Sequence, residues 1–209
     1  MSKRKIKNHD RQSYRLKSWD YGSNAAYFVT ICTKNKEQFF GEIIAKEEGI
    51  VTDPVIDKQD FASQVSKSFS LRKTEIGRVA HRNWLAIPDH FPFVKLGSHI
   101  IMPDHMHGII IIDKPPGDLQ PVATPVGMQN LASQLSSPKN KFGPQSKNLA
   151  SIIRGYKASV KKHATMNNID FKWQGLYHDH IIRNGDAFDR ISYYIESNPR
   201  KWYYNNRKG

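Results

Sequence analysis

The chain has 209 residues, 38% of them hydrophobic, with 32 Lys plus Arg against 19 Asp plus Glu, a formal net charge of +13 and a pI near 9.8. That length suits one substantial core rather than several domains, and the charge points to a polyanionic partner. No stretch approaches the roughly 18 apolar residues of a bilayer span, the charged opening MSKRKIKNHDRQ lacks an apolar signal core, and a lone Cys32 excludes an internal disulfide framework and suits a reducing cytoplasm.

In chain order, the first segment is a basic arm within residues 1–25 that carries Lys3, Arg4, Lys5, Lys7, Arg11, Arg15 and Lys17, a set suited to phosphates. Residues 26–33 (AYFVTICT), rich in β-branched and aromatic side chains, predict the first strand, with Cys32 packed inside it. Residues 39–51 suggest a small hairpin turning through Glu48-Gly49. Thr74 is placed to cap a helix in which Ile76, Val79, Ala80, Trp84 and Leu85 keep helical spacing and which Pro88 ends. Residues 93–102 and 106–113 read as two central strands, the second apolar on both faces, as expected when both are covered.

Residues 115–145, rich in Pro, Gln and Ser with no sustained period, predict a mobile loop. From Leu149 a helix is expected on the stripe Ile152, Ile153, Tyr156 and Val160, leaving Arg154, Lys157, Lys161 and Lys162 mostly on its other side, where they could track phosphates. Residues 171–183 read as the last core strand, with Trp173 a core residue. Phe188, Ile191 and Ile195 then mark a short amphipathic helix over 186–199, acidic at its start through Asp186 and Asp189 and ended by Pro199. The tail Trp202-Tyr203-Tyr204, with Arg200, Lys201, Arg207 and Lys208, has the aromatic and basic mix that stacks unpaired bases and grips phosphates.

The chemistry concentrates in Met102-Pro103-Asp104-His105-Met106-His107. Alternate residues of a strand share a face, so His105 and His107 point the same way and make half of a divalent-metal site. His178-Asp179-His180 has the same spacing, so spacing does not by itself choose between the pairs. Tyr194 and Asn198 lie i, i+4 on one helix face, a phenol able to act as nucleophile and an amide oxygen able to serve as a third ligand. Tyr193 points about 100° away around the helix and has only Ser197 at i+4.

The string Met102 to His107 resembles the His-hydrophobic-His signature of single-tyrosine transposases, and Tyr194-Ile195-x-x-Asn198-Pro199 is similar to their tyrosine helix. More narrowly, residues 11–33, Trp173-Gln174 and Asp179-His180-Ile181-Ile182-Arg183 resemble the REP-associated tyrosine transposases, bacterial relatives of insertion-sequence enzymes that act on single-stranded DNA. The likeness runs in order over nearly the whole chain. It implies an α+β, ferredoxin-like antiparallel sheet with helices packed on one face. It further implies Mg²⁺ or Mn²⁺ held by His105, His107 and Asn198, Tyr194 as the attacking group, a 5′-phosphotyrosine intermediate, and single-stranded or hairpin DNA as partner of a monomer or homodimer.

Asp104, His180 and Arg183 fall to supporting or DNA-contacting positions, while His178 stands where an aromatic is usual. The segments 41–73 and 114–147 depart from shorter members as insertions. Two other readings stay open at this point: a domesticated hairpin-binding protein that no longer cuts, and a metal phosphodiesterase that uses water, with Tyr194 merely structural.

Overall fold

Alternation along the first strand, β1 (Ala25–Cys32), sets the architecture of the computed structural model, which describes residues 19–47, 67–116 and 146–206. Tyr27, Val29 and Ile31 are fully buried on one face, while Ala26 and Phe28 belong to a second apolar cluster on the other. β1 pairs antiparallel with β5 (His105–Ile112) on one side and with β6 (His178–Ile182) on the other, and β4 (Val94–Ile101) pairs with β5. The four-stranded order is β4-β5-β1-β6. With α1 (Glu75–Leu85) between β1 and β4, and α3 (Leu149–Met166) between β5 and β6, this is the expected α+β, ferredoxin-like antiparallel arrangement.

β5 explains why both faces are covered. Ile110 and Ile112 join the cluster of α1 and α3, which includes Ile76, Trp84, Ile152 and Tyr156, whereas Ile109 and Ile111 pack with Ile191 and Ile195 of α4 (Gly185–Asn205). The expectation of helices on one face holds for α1 and α3 but not for α4, which covers the other face, because each side of β5 presents isoleucines that need cover. Close packing also constrains Gly108: a Cβ there would run into the Trp84 indole.

Several boundaries differ from the sequence expectation, each for a physical reason. Thr74 does cap α1, accepting from the Gly77 N–H at 3.1 Å, but Leu85 is 48% exposed, since it sits at the helix end beyond the core. Pro88 starts a further turn, α2 (Ile87–His90), because a proline in a first turn has no intrahelical N–H to lose. β2 (Gly41–Glu47) pairs not with residues just after Glu48-Gly49 but with β3 (Lys67–Lys73), so that Ala45 stands opposite Phe69.

The 171–177 stretch is not part of β6: Thr33 and Trp173 form only an isolated bridge, and the carbonyls of Phe171, Gln174 and Gly175 take lysine donors from α3. α4 continues through Pro199 to Asn205 instead of ending there. The basic arm up to Lys17, the Glu48-Gly49 turn, residues 117–145 and Arg207 lie outside the described residues. Among the described residues, no helix is long and apolar enough to cross a membrane.

Candidate active site

The turn between β4 and β5 sets the first imidazole. The Met102 N–H donates to the His105 carbonyl at 2.8 Å across Pro103-Asp104, and the Asp104 carbonyl accepts from both the backbone N–H and the hydroxyl of Thr33 at 2.9 Å. Asp104 is thereby buried, 5% exposed, with its carboxylate on Nδ1 of His105. A carboxylate only accepts, so His105 carries its hydrogen on Nδ1 and a neutral ring turns its Nε2 lone pair outward. His107 Nδ1 meets the hydroxyl of Thr30 on β1 at 2.8 Å, the two residues being paired in register.

The two Nε2 atoms face each other at 3.1 Å. Burial holds His107 neutral, its pKa lowered to about 3, with the neighbouring His105 adding to the effect and Asp104 opposing it. The Thr30 hydroxyl can donate to Nδ1 of His107 or accept from it, so the tautomer of His107 with its hydrogen on Nδ1 is available, and in that tautomer, beside a neutral His105, the two Nε2 lone pairs converge.

That geometry fits a divalent cation. Donors about 2.1 Å from one ion and roughly at right angles stand about 3 Å apart, and both remaining ring nitrogens are held by outer partners, as metal-binding histidines usually are. Among the described residues, no group of three His, Cys, Asp or Glu is placed to hold a metal, so a third donor drawn from those residues would be of another type.

α4 supplies the facing side. The Tyr194 ring lies 5.3 Å from that of His107 and 6.1 Å, edge-on, from that of Phe28, which itself stacks on His107 at 5.4 Å. Two turns further on, Trp202 lies 5.8 Å from His105. Asn198 stands between them on the same stripe, its amide N–H₂ donating to the Tyr194 carbonyl at 3.1 Å, an orientation that leaves the amide oxygen unused by that bond. The Lys201 ammonium stands 5.3 Å from the centre of the Tyr194 ring. Tyr194 is 41% exposed and thus reachable; Tyr193, 71% exposed, points off this stripe.

The other residues singled out in the sequence divide by location. His178 pairs with Thr30 and His180 with Phe28, so both lie on the face of His107 but exposed on an edge strand. Arg183 is exposed in the link to α4. On the opposite side of the sheet, Lys157 donates to the carbonyls of Gln174 and Gly175, with its pKa lowered by burial, and Lys161 donates to that of Phe171 at 2.8 Å. Arg154 is exposed on the same helix. Sequence reading passed over Thr30 and Phe28, whose place beside His107 depends on strand register; their even positions in β1, opposite to Tyr27 and Val29, were the available signal.

No family model matches the chain. A curated relative, an uncharacterized protein of Haemophilus influenzae, is 33% identical over 195 residues, covering 93% of this chain and 91% of the relative. The chain belongs to the family of that Haemophilus protein. Among solved structures, one described as a REP-associated tyrosine transposase bound to a REP hairpin aligns with a TM-score of 0.48 and 16% identity, covering 90% of this chain and 73% of that chain.

Proposed function

We propose that the protein is a metal-dependent single-stranded DNA nuclease and strand transferase, transposase-like, that cuts and rejoins DNA through Tyr194. The observation that carries this reading is a reachable phenol, Tyr194, with its ring centre 5.3 Å from that of His107, one of two imidazoles whose Nε2 atoms face each other. His105, His107 and the amide oxygen of Asn198 would hold Mg²⁺ or Mn²⁺, which when bound polarises a phosphate by drawing on a non-bridging oxygen.

The chain's own residues do the rest. Asp104 and Thr30 hold the two imidazoles in register. Trp202 offers a ring to an unpaired base, and Lys201 sets a positive charge beside the phenol where a phosphodiester would arrive. The Tyr194 oxygen forms a bond to phosphorus as the P–O3′ bond breaks, the phenolic proton leaves, and the 3′ oxygen departs as a free hydroxyl. A 5′-phosphotyrosine keeps the energy of the phosphodiester, so the reverse attack by a 3′-hydroxyl rejoins strands without ATP. The net charge of +13 supports a nucleic-acid partner.

A 3′-labelled hairpin oligonucleotide with single-stranded flanks, incubated with Mg²⁺ or Mn²⁺ and resolved in denaturing gels, tests the reading. Wild-type protein should carry the label covalently, and Tyr194→Phe should bind the oligonucleotide yet form no adduct. Cleavage that persists in Tyr194→Phe without any adduct would establish attack by water instead.

A further inference from the structure

α4 is anchored unequally along its length. Its first half sits on the sheet: Phe188, Ile191 and the fully buried Ile195 pack with Ile109 and Ile182, a Cβ at Gly97 would touch the Phe188 ring, and the Ser98 hydroxyl donates to the Glu196 carboxylate at 3.1 Å. Pro199 then removes one N–H, so the carbonyl of Ile195 loses its helical donor. Beyond Pro199, the described residues of α4 include none that is buried, yet the helix runs on to Asn205.

What this second half meets is the inserted hairpin. Phe69 of β3 lies 5.1 Å from the Tyr203 ring and 5.5 Å from the Tyr204 ring, and those two rings meet edge-on at 5.6 Å. Trp202, one residue before this cluster, is the side chain that stands against His105. A helix end with a proline behind it and no core beneath it frays unless side chains elsewhere hold it.

We propose that the β2–β3 hairpin is a clamp for the tyrosine helix, with Phe69 as its positioning residue. By gripping Tyr203 and Tyr204, it carries α4 past Pro199 and keeps Trp202 on His105 and Lys201 over Tyr194. Phe69 touches neither imidazole and acts only through the helix, which explains why an insertion between the first strand and the first helix bears on a site built by β5 and α4. The clamp itself stands on packing alone; its effect on strand cleavage rests on the function proposed above.

Amide hydrogen exchange on the full-length protein tests the clamp independently of any activity. In Phe69→Ala, amides of residues 200–206 should exchange about tenfold faster, as expected from loss of two aromatic pairs, while those of 188–196 keep wild-type protection. Phe69→Trp should restore protection. The second arm measures adduct formation under single-turnover conditions at saturating oligonucleotide: Phe69→Ala should slow it severalfold, with recovery in Phe69→Trp. Unchanged exchange at 200–206 in Phe69→Ala, or loss of protection spread evenly over α4 and the sheet, overturns the clamp. A wild-type protein that forms no adduct overturns the enzymatic reading and leaves the exchange result standing.

Discussion

Two His-x-His pairs share one sheet face, and their fates differ completely. His105 and His107 lie on an inner strand, under α4, with Asp104 and Thr30 holding one nitrogen of each ring and their other nitrogens 3.1 Å apart. His178 and His180 lie on the edge strand β6 and are exposed. The spacing is identical, so spacing supplies only a shared direction. Outer partners that fix the rings, and a facing helix that brings a phenol, turn one pair into a candidate centre. The general lesson is that a metal half-site is recognised by what holds its ligands.

The largest effect expected from this contrast is on cleavage itself. His107→Ala should reduce adduct formation below detection at any Mg²⁺ or Mn²⁺ concentration, while His178→Ala should stay within about threefold of wild type, the scale of a surface change away from the reacting groups. Equal losses in both variants, read from the labelled-oligonucleotide assay, would erase the distinction between the pairs.

A smaller effect isolates the outer partners. Thr30→Val keeps the shape of the side chain but removes the hydroxyl that holds His107, and should weaken Mn²⁺ affinity about 10- to 100-fold. Calorimetric titration of the folded variant with Mn²⁺ measures this directly, and wild-type affinity would show that Thr30 does not orient the ring.

The smallest effect is on stability against pH in the presence of a chelator. His107 is held neutral with its pKa lowered to about 3, and His81 and His99 are lowered as well, chiefly by burial. The unfolded chain, with ordinary imidazole values near 6.5, binds more protons below that pH. The stability these groups contribute is therefore complete above about pH 6.5 and is lost as pH falls from there towards 3. Melting temperature should drop steadily between pH 7 and 5, and less steeply in His107→Gln. A parallel slope in that variant would show that His107 titrates normally.

Much of this molecule could be read along the chain. The alternation of 26–33, the apolar stripe from Leu149 to Val160, the Thr74 cap and the shared direction of His105 and His107 are all local, governed by the two- and 3.6-residue periods and by cap chemistry. The i, i+4 relation of Tyr194 and Asn198 is of the same kind. What failed was also instructive: Pro199 argued for a helix end, and a proline's local preference was overridden by packing beyond it, from Phe69 on Tyr203 and Tyr204.

Tertiary structure alone decided three things. It set the antiparallel register that puts Thr30 beside His107, the choice of α4 as cover for the second face of β5, and the docking of a hairpin from an insertion onto the far end of that helix. Each joins residues dozens of positions apart, and such contacts depend on how whole faces fit against one another. No residue's own propensity encodes that fit.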